Sequence, residues 1–102
     1  MNFKSVGIIG YGKFSRLLIE LFNKYVPDVP VRVFSRSHAV DEELFYNLEF
    51  VASSDLIIPC VPIRNFRDTL ISVANYLRAG QIVMDVCSVK EYPKETIFIK
   101  KF

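Results

Sequence analysis

Short apolar runs alternate along this chain with stretches in which apolar residues return every third or fourth position. Val6-Gly7-Ile8-Ile9 is a brief apolar run closing on glycine, the pattern of a parallel strand buried on both faces. Beyond it, Phe14, Leu17, Leu18, Leu21 and Tyr25 fall at i, i+3, i+4, i+7 and i+11, which is one face of an amphipathic helix. Pro27 and Pro30 end that helix in a loop, and Val31-Arg32-Val33-Phe34 reads as a second strand. Ser37 to Asn47 reads as a short, weakly patterned helix, with Asp41, Glu42 and Glu43 near its positive end. Glu49-Phe50-Val51 reads as a short third strand. Leu56-Ile57-Ile58 opens a fourth, which leaves through Cys60-Val61-Pro62. Phe66, Leu70, Val73, Ala74 and Leu77 mark a second clear helix, with Gly80 where a C-cap glycine belongs. Gln81 to Val86 is a fifth strand, and the tail from Val89 reads as the start of another helix.

Strands alternating with helices predict an α/β fold with right-handed crossovers. The expectation is a Rossmann-type doubly wound parallel sheet with strand order 3-2-1-4-5, occupying residues 1–102 as one domain. A ligand crevice belongs at the carboxyl ends of strands one and four. Pro59 has no N–H for a ladder, so the fourth strand is expected to stop pairing or bulge there.

Composition narrows the partners. The chain has 102 residues, 51% of them hydrophobic, enough for one core. Thirteen basic residues against eleven acidic give a net charge of +2 without a basic stripe, so nucleic acid gains no support. No leader pattern is read at the N-terminus, and no apolar run approaches the ~20 residues of a membrane span. The cytoplasm is the expected compartment. Two cysteines, Cys60 and Cys87, each follow an apolar segment and read as small buried hydrophobes. With one histidine in an unrelated segment, no metal site is expected.

Gly10-Tyr11-Gly12-Lys13-Phe14-Ser15 joins the first strand to the first helix as G-x-G-x-x-S. The first glycine allows a tight turn. The second lets a diphosphate approach the backbone, and the helix start offers unpaired N–H groups to the phosphates. Ser15 stands where Gly or Ala is usual. Its hydroxyl could meet a phosphate or cap backbone.

The end of the second strand selects the nucleotide. An acid at its exit would bind the ribose hydroxyls of NAD. Asp28 lies before the strand, at its wrong end, and the exit reads Phe34-Ser35-Arg36-Ser37-His38. Arg36 could fork onto a 2′-phosphate, with Ser35 and Ser37 adding hydrogen bonds, which favours NADP over NAD. The alternative for Arg36 is a solvated loop side chain. His38 belongs to the adenosine end, where a minor phosphate contact suits it better than catalysis. Cys60, Val61 and Pro62 should offer backbone groups to the nicotinamide half. Asp85 reads as structural. Ser88 and Lys90 are the polar residues best placed to meet a substrate, or else form a helix cap and an exposed lysine.

These residues resemble the prephenate and arogenate dehydrogenases of tyrosine biosynthesis. The likeness lies in Gly7-Ile8-Ile9-Gly10-Tyr11-Gly12-Lys13-Phe14, in Phe34-Ser35-Arg36-Ser37, and most specifically in Asp85-Val86-Cys87-Ser88-Val89-Lys90-Glu91-Tyr92-Pro93. The Ser-Arg-Ser exit is most similar to the NADP-using arogenate branch. The resemblance implies oxidation of a cyclohexadienyl ring carbinol, with hydride passing to the nicotinamide, loss of carbon dioxide and aromatisation. It gives Ser88 a contact to the substrate hydroxyl. The family's catalytic histidine lies in a downstream His-Pro motif absent from these residues, as is its helical domain. The expectation is a cofactor-holding domain that binds dinucleotide without turnover. Its fifth strand would be an open edge, and the uncovered tail bearing Ile97, Phe98, Ile99 and Phe102 would favour self-association or a complementary chain. The competing readings are another NADP-dependent reductase on the same scaffold and a non-catalytic nucleotide-sensing module.

Overall fold

A computed structural model describes residues 3–61, 63–88 and 95–101, with side chains described for 3–61 and 67–84. Four parallel strands form the centre: β1 (Val6–Ile9), β2 (Val31–Phe34), β3 (Leu56–Pro59) and β4 (Ile82–Ser88). A last strand, β5 (Glu95–Lys101), runs antiparallel along β4, giving the order β2-β1-β3-β4-β5. Helices α1 (Lys13–Tyr25), α2 (Leu48–Ala52) and α3 (Ile63–Ala74) fill the crossovers.

Strand side chains alternate between two faces, and the core divides accordingly. Val6, Ile8, Val33, Leu56 and Ile58 face α1 and pack with Leu18, Ile19 and Phe22. Ile9, Ile57 and Val83 face the other way, under Val51 and Ala52 of α2 and Val73 of α3. Helices therefore cover both faces, as a parallel sheet requires. No described helix is long and apolar enough to cross a membrane.

Several expectations are corrected. Glu49-Phe50-Val51 is not a strand but the body of α2. Asn47 Oδ1 accepts the Phe50 N–H at 2.9 Å and starts a helical turn, which buries Val51 and Ala52 completely. The Phe50 ring is held outside by the Arg32 guanidinium, 4.2 Å from its centroid. The third strand's place beside β2 is taken by one parallel bridge, Val33 to Phe45, so the parallel order otherwise stands.

Ser37 to Asn47 is not a helix. Asp41 turns its carboxylate back on the chain, and Oδ1 accepts the N–H groups of Glu43, Leu44 and Phe45 at 3.0, 3.0 and 2.9 Å. Those donors are withdrawn from any helical ladder. They also hold the Asp41 carboxyl below its usual range, Leu44 contributing most, then Glu43 and Phe45.

The first helix is where the periodicity put it, but its buried face is different. Ser15, Leu18, Ile19 and Phe22 turn to the sheet, while Leu17, Leu21 and Tyr25 are exposed. The α1 sequence carries two apolar stripes side by side, and only packing chooses between them. The second long helix begins earlier than expected and stops at Ala74, leaving Gly80 in the turn before β4.

The tail is a strand rather than a helix, and β5 covers the outer side of β4 from Ile82 to Ser88. The expected bare edge on β4 is therefore filled, and β5 becomes the outer strand of the sheet. Residues 89–94 and Phe102, including Val89 and Lys90, lie outside the described residues.

Pro59 behaves as its chemistry dictates. β3 pairs with β1 through Ile9 and Pro59, but with β4 only through Leu56 and Ile57. Leu56 and Cys60 donate their N–H groups toward β1, so the missing N–H at Pro59 falls on the β4 side, where the ladder ends.

Candidate functional site

The carboxyl ends of β1, β2 and β3 are tied together. Gly10 N–H donates to the Phe34 carbonyl at 2.7 Å, and Cys60 N–H donates to the Ile9 carbonyl at 2.7 Å. The chain leaves β1 for one neighbour by way of α1 and reaches the other from β2 over the opposite face. This is the point of an α/β sheet where a crevice opens.

The two loop glycines do different work. Gly10 has φ +105°, and a Cβ there would overlap the Cys60 carbonyl, so the fold itself demands glycine. Gly12 has extended backbone (φ −111°, ψ −164°) and nothing within 4 Å of where its Cβ would be. No group among the described residues requires glycine at position 12. The open space lies at the start of α1, where Gly12 is the N-cap and lines the crevice.

Ser15 resolves its own ambiguity. Its hydroxyl accepts from Gly12 N–H at 2.7 Å and donates to the Gly12 carbonyl at 2.9 Å, and the residue is fully buried. The hydroxyl holds the turn and does not line the cleft. The first intrahelical bond is Arg16 N–H to Gly12 C=O, so the N–H groups of Lys13 and Phe14 remain without an acceptor among the described residues.

At the exit of β2 a polar turn meets an aromatic cluster. Ser35 Oγ accepts from Ser37 N–H at 3.2 Å and lies 3.0 Å from His38 Nδ1. The His38 ring stacks on Phe45, with centroids 4.5 Å apart and planes 5° from parallel. Tyr11 sets its edge against both rings, each at 5.0 Å, and Arg16 lies over the Tyr11 ring. The Asp41 loop positions Phe45, so a cluster at the cleft depends on one carboxylate outside it.

These parts enclose a cleft of about 430 Å³. Of the expected residues, Gly10, Tyr11, Gly12, Ser35, Arg36, Ser37, Cys60 and Val61 line it. Lys13 and Phe14, the next two residues in the chain, are not among its lining residues. Pro62 lies outside the described residues, and Ser88 is described only as the paired end of β4. Leu48, Thr69 and Ser72 join the lining and were missed by sequence reasoning. They come from α2 and α3, and no motif signals them. Arg36 is the one fixed charge among the described lining residues, which include no carboxylate.

A parallel sheet with a glycine turn at its switch point, opening on a cleft of mixed polar and apolar lining, defines a dinucleotide-binding α/β domain. The chain belongs to the family described as prephenate dehydrogenase, nucleotide-binding domain, whose model matches residues 23–99. It is 31% identical to a cyclohexadienyl dehydrogenase of Zymomonas mobilis over 86% of its own length. Its fold matches the crystal structure of Synechocystis arogenate dehydrogenase with a TM-score of 0.71, at 23% identity over 84% of the chain. The chain spans about a third of each, 33% and 34%.

Proposed function

We propose that the chain holds a nicotinamide dinucleotide across the ends of β1, β2 and β3, prefers NADP to NAD, and serves the oxidation of prephenate or arogenate. Gly12 carries the reading. It is a glycine that no contact among the described residues explains, beside helix-start amides without an acceptor among those residues. Those of Lys13 and Phe14 would orient the diphosphate, and Arg36 with Ser35 and Ser37 would take the 2′-phosphate. Cys60 and Val61 would border the nicotinamide half, with Thr69 and Ser72 adding hydroxyl groups to the wall. When bound, the dinucleotide supplies the hydride acceptor.

Ser88, at the end of β4, is proposed to meet the substrate hydroxyl. His38, the sole histidine, belongs to the β2 exit. With β1 and β3 between them, β2 and β4 are three strand spacings apart, roughly 14 Å. A general base must come within about 3 Å of its proton, so His38 cannot serve a hydroxyl held at Ser88. The base and the walls that orient the ring are expected from the kind of sequence that makes the relatives three times longer, in the same or a complementary polypeptide. These 102 residues alone are expected to bind dinucleotide without turnover.

Titration with NADPH and NADH, repeated on Arg36→Ala, tests the reading. NADPH should bind more tightly, and the substitution should cost it about tenfold while sparing NADH. With prephenate or arogenate and NADP added, no absorbance of reduced cofactor should grow. Equal affinities unaffected by Arg36→Ala would refute the preference, and substrate-dependent reduction would refute the lack of turnover.

A further inference from the structure

We propose that His38 is a second specificity-determining residue for the 2′-phosphate, an N–H donor set beside Arg36. The inference rests on the dinucleotide reading above and adds a residue to it. The hydrogen bonds at the β2 exit engage one ring nitrogen, Nδ1, and leave Nε2 to the cleft side. Ser35 Oγ accepts from Ser37 N–H and keeps one proton and one lone pair for His38 Nδ1, 3.0 Å away. Where the Ser35 proton points at Nδ1, the neutral ring carries its own proton on Nε2. A protonated ring donates from Nδ1 to the second lone pair of Ser35 and still carries the Nε2 proton. In both of these states Nε2–H is the ring's remaining donor, on an exposed residue that lines the cleft, and an anion there favours them over the Nδ1–H form.

The ring cannot swing freely. Phe45 is stacked on one face, Tyr11 sets its edge against it, and Ser35 holds one nitrogen. A held donor loses less entropy on meeting a phosphate than a loose one. The surrounding charges leave it an anion to meet. Arg36 is two residues away, and Arg16 lies over the Tyr11 ring. The Asp41 carboxylate is occupied by the amides of its own loop, and Glu42 and Glu43 are exposed on that loop. No carboxylate lines the described cleft to compete.

Two variants of the full chain test this, with NADPH and NADH as probes and a thermal melt as the folding control. His38→Phe keeps a flat ring to stack on Phe45 and deletes both nitrogens. It should lower NADPH affinity about tenfold more than NADH affinity. His38→Gln restores an N–H donor and should retain most of the preference. Equal losses for both dinucleotides in His38→Phe would make the ring an adenine platform and overturn the inference, as would no loss of either. A His38→Gln chain that falls as far as His38→Phe would overturn the donor role. Tight NADPH binding by the wild type alongside any of these results leaves the dinucleotide reading standing. A wild type that binds neither probe removes both together.

Discussion

Replacing Gly12 with alanine separates what the fold needs from what a ligand needs. The added methyl would meet no atom within 4 Å, and the backbone at φ −111° suits any L-residue. Alanine caps a helix less well than glycine, at a cost of about 1 kcal/mol. Stiffening the unfolded chain returns about 0.4–1 kcal/mol, so stability should scarcely change. Binding should change. The methyl would occupy the approach to the Lys13 and Phe14 amides. A hydrogen bond to a charged group is worth about 1.5–3 kcal/mol, so losing one weakens binding about 10- to 100-fold. Gly10→Ala gives the opposite result for a reason visible in the structure. Its φ of +105° and the Cys60 carbonyl both exclude a side chain. Backbone strain of about 1–3 kcal/mol, with a similar cost for the overlap, makes a loss of about 4 kcal/mol. Calorimetric titration with NADPH beside urea denaturation reads both terms. Unchanged NADPH affinity in a folded Gly12→Ala chain would refute the placement of the diphosphate.

The remaining predictions concern the supports of the site. Gln81 is buried and donates from Nε2 to the carbonyls of Ala52 and Ser54, each at 2.7 Å, while its Oε1 accepts the Arg78 N–H. Gln81→Met would leave three backbone groups without those partners and should destabilise the chain by about 3 kcal/mol in urea denaturation. A loss under about 1 kcal/mol would show that water replaces the amide. The Asp41 carboxyl has a folded pKa held below the ordinary range by three amides. Its contribution is therefore fully present above the unfolded value of about 3.9 and fades as pH falls through the lower folded value. Asp41→Asn should lose that acid-side dependence and show faster amide exchange at Glu43, Leu44 and Phe45. Identical exchange and acid profiles in the two chains would disprove the role.

The supports show where sequence reading succeeded and failed. Gly10 was legible because a turn from a buried strand into a helix allows few residues, and the place of Arg36 in the cleft lining because residues at a strand exit border the crevice. The Asp41 loop was misread as a helix because its acids suit a helix start as well as they suit a side chain folded onto its own amides. Which arrangement wins depends on the bridge between Phe45 and Val33, a contact between residues twelve positions apart. The face of α1 was misassigned because Leu17, Leu21 and Tyr25 form as good a stripe as Leu18, Ile19 and Phe22. Thr69 and Ser72 reach the cleft only because α3 crosses back over the sheet, which no local pattern records.

Local chemistry in the sequence thus determined the alternation of strands and helices, the glycine turn and the polar exit of β2, since each follows from the preferences of neighbouring residues. Tertiary structure alone decided the buried face of α1, the helix at Leu48–Ala52, the antiparallel β5 and the seating of His38 on Phe45. In those places two local arrangements were close in free energy. Contacts between residues distant in sequence tipped the balance, and such contacts exist only once the chain has folded.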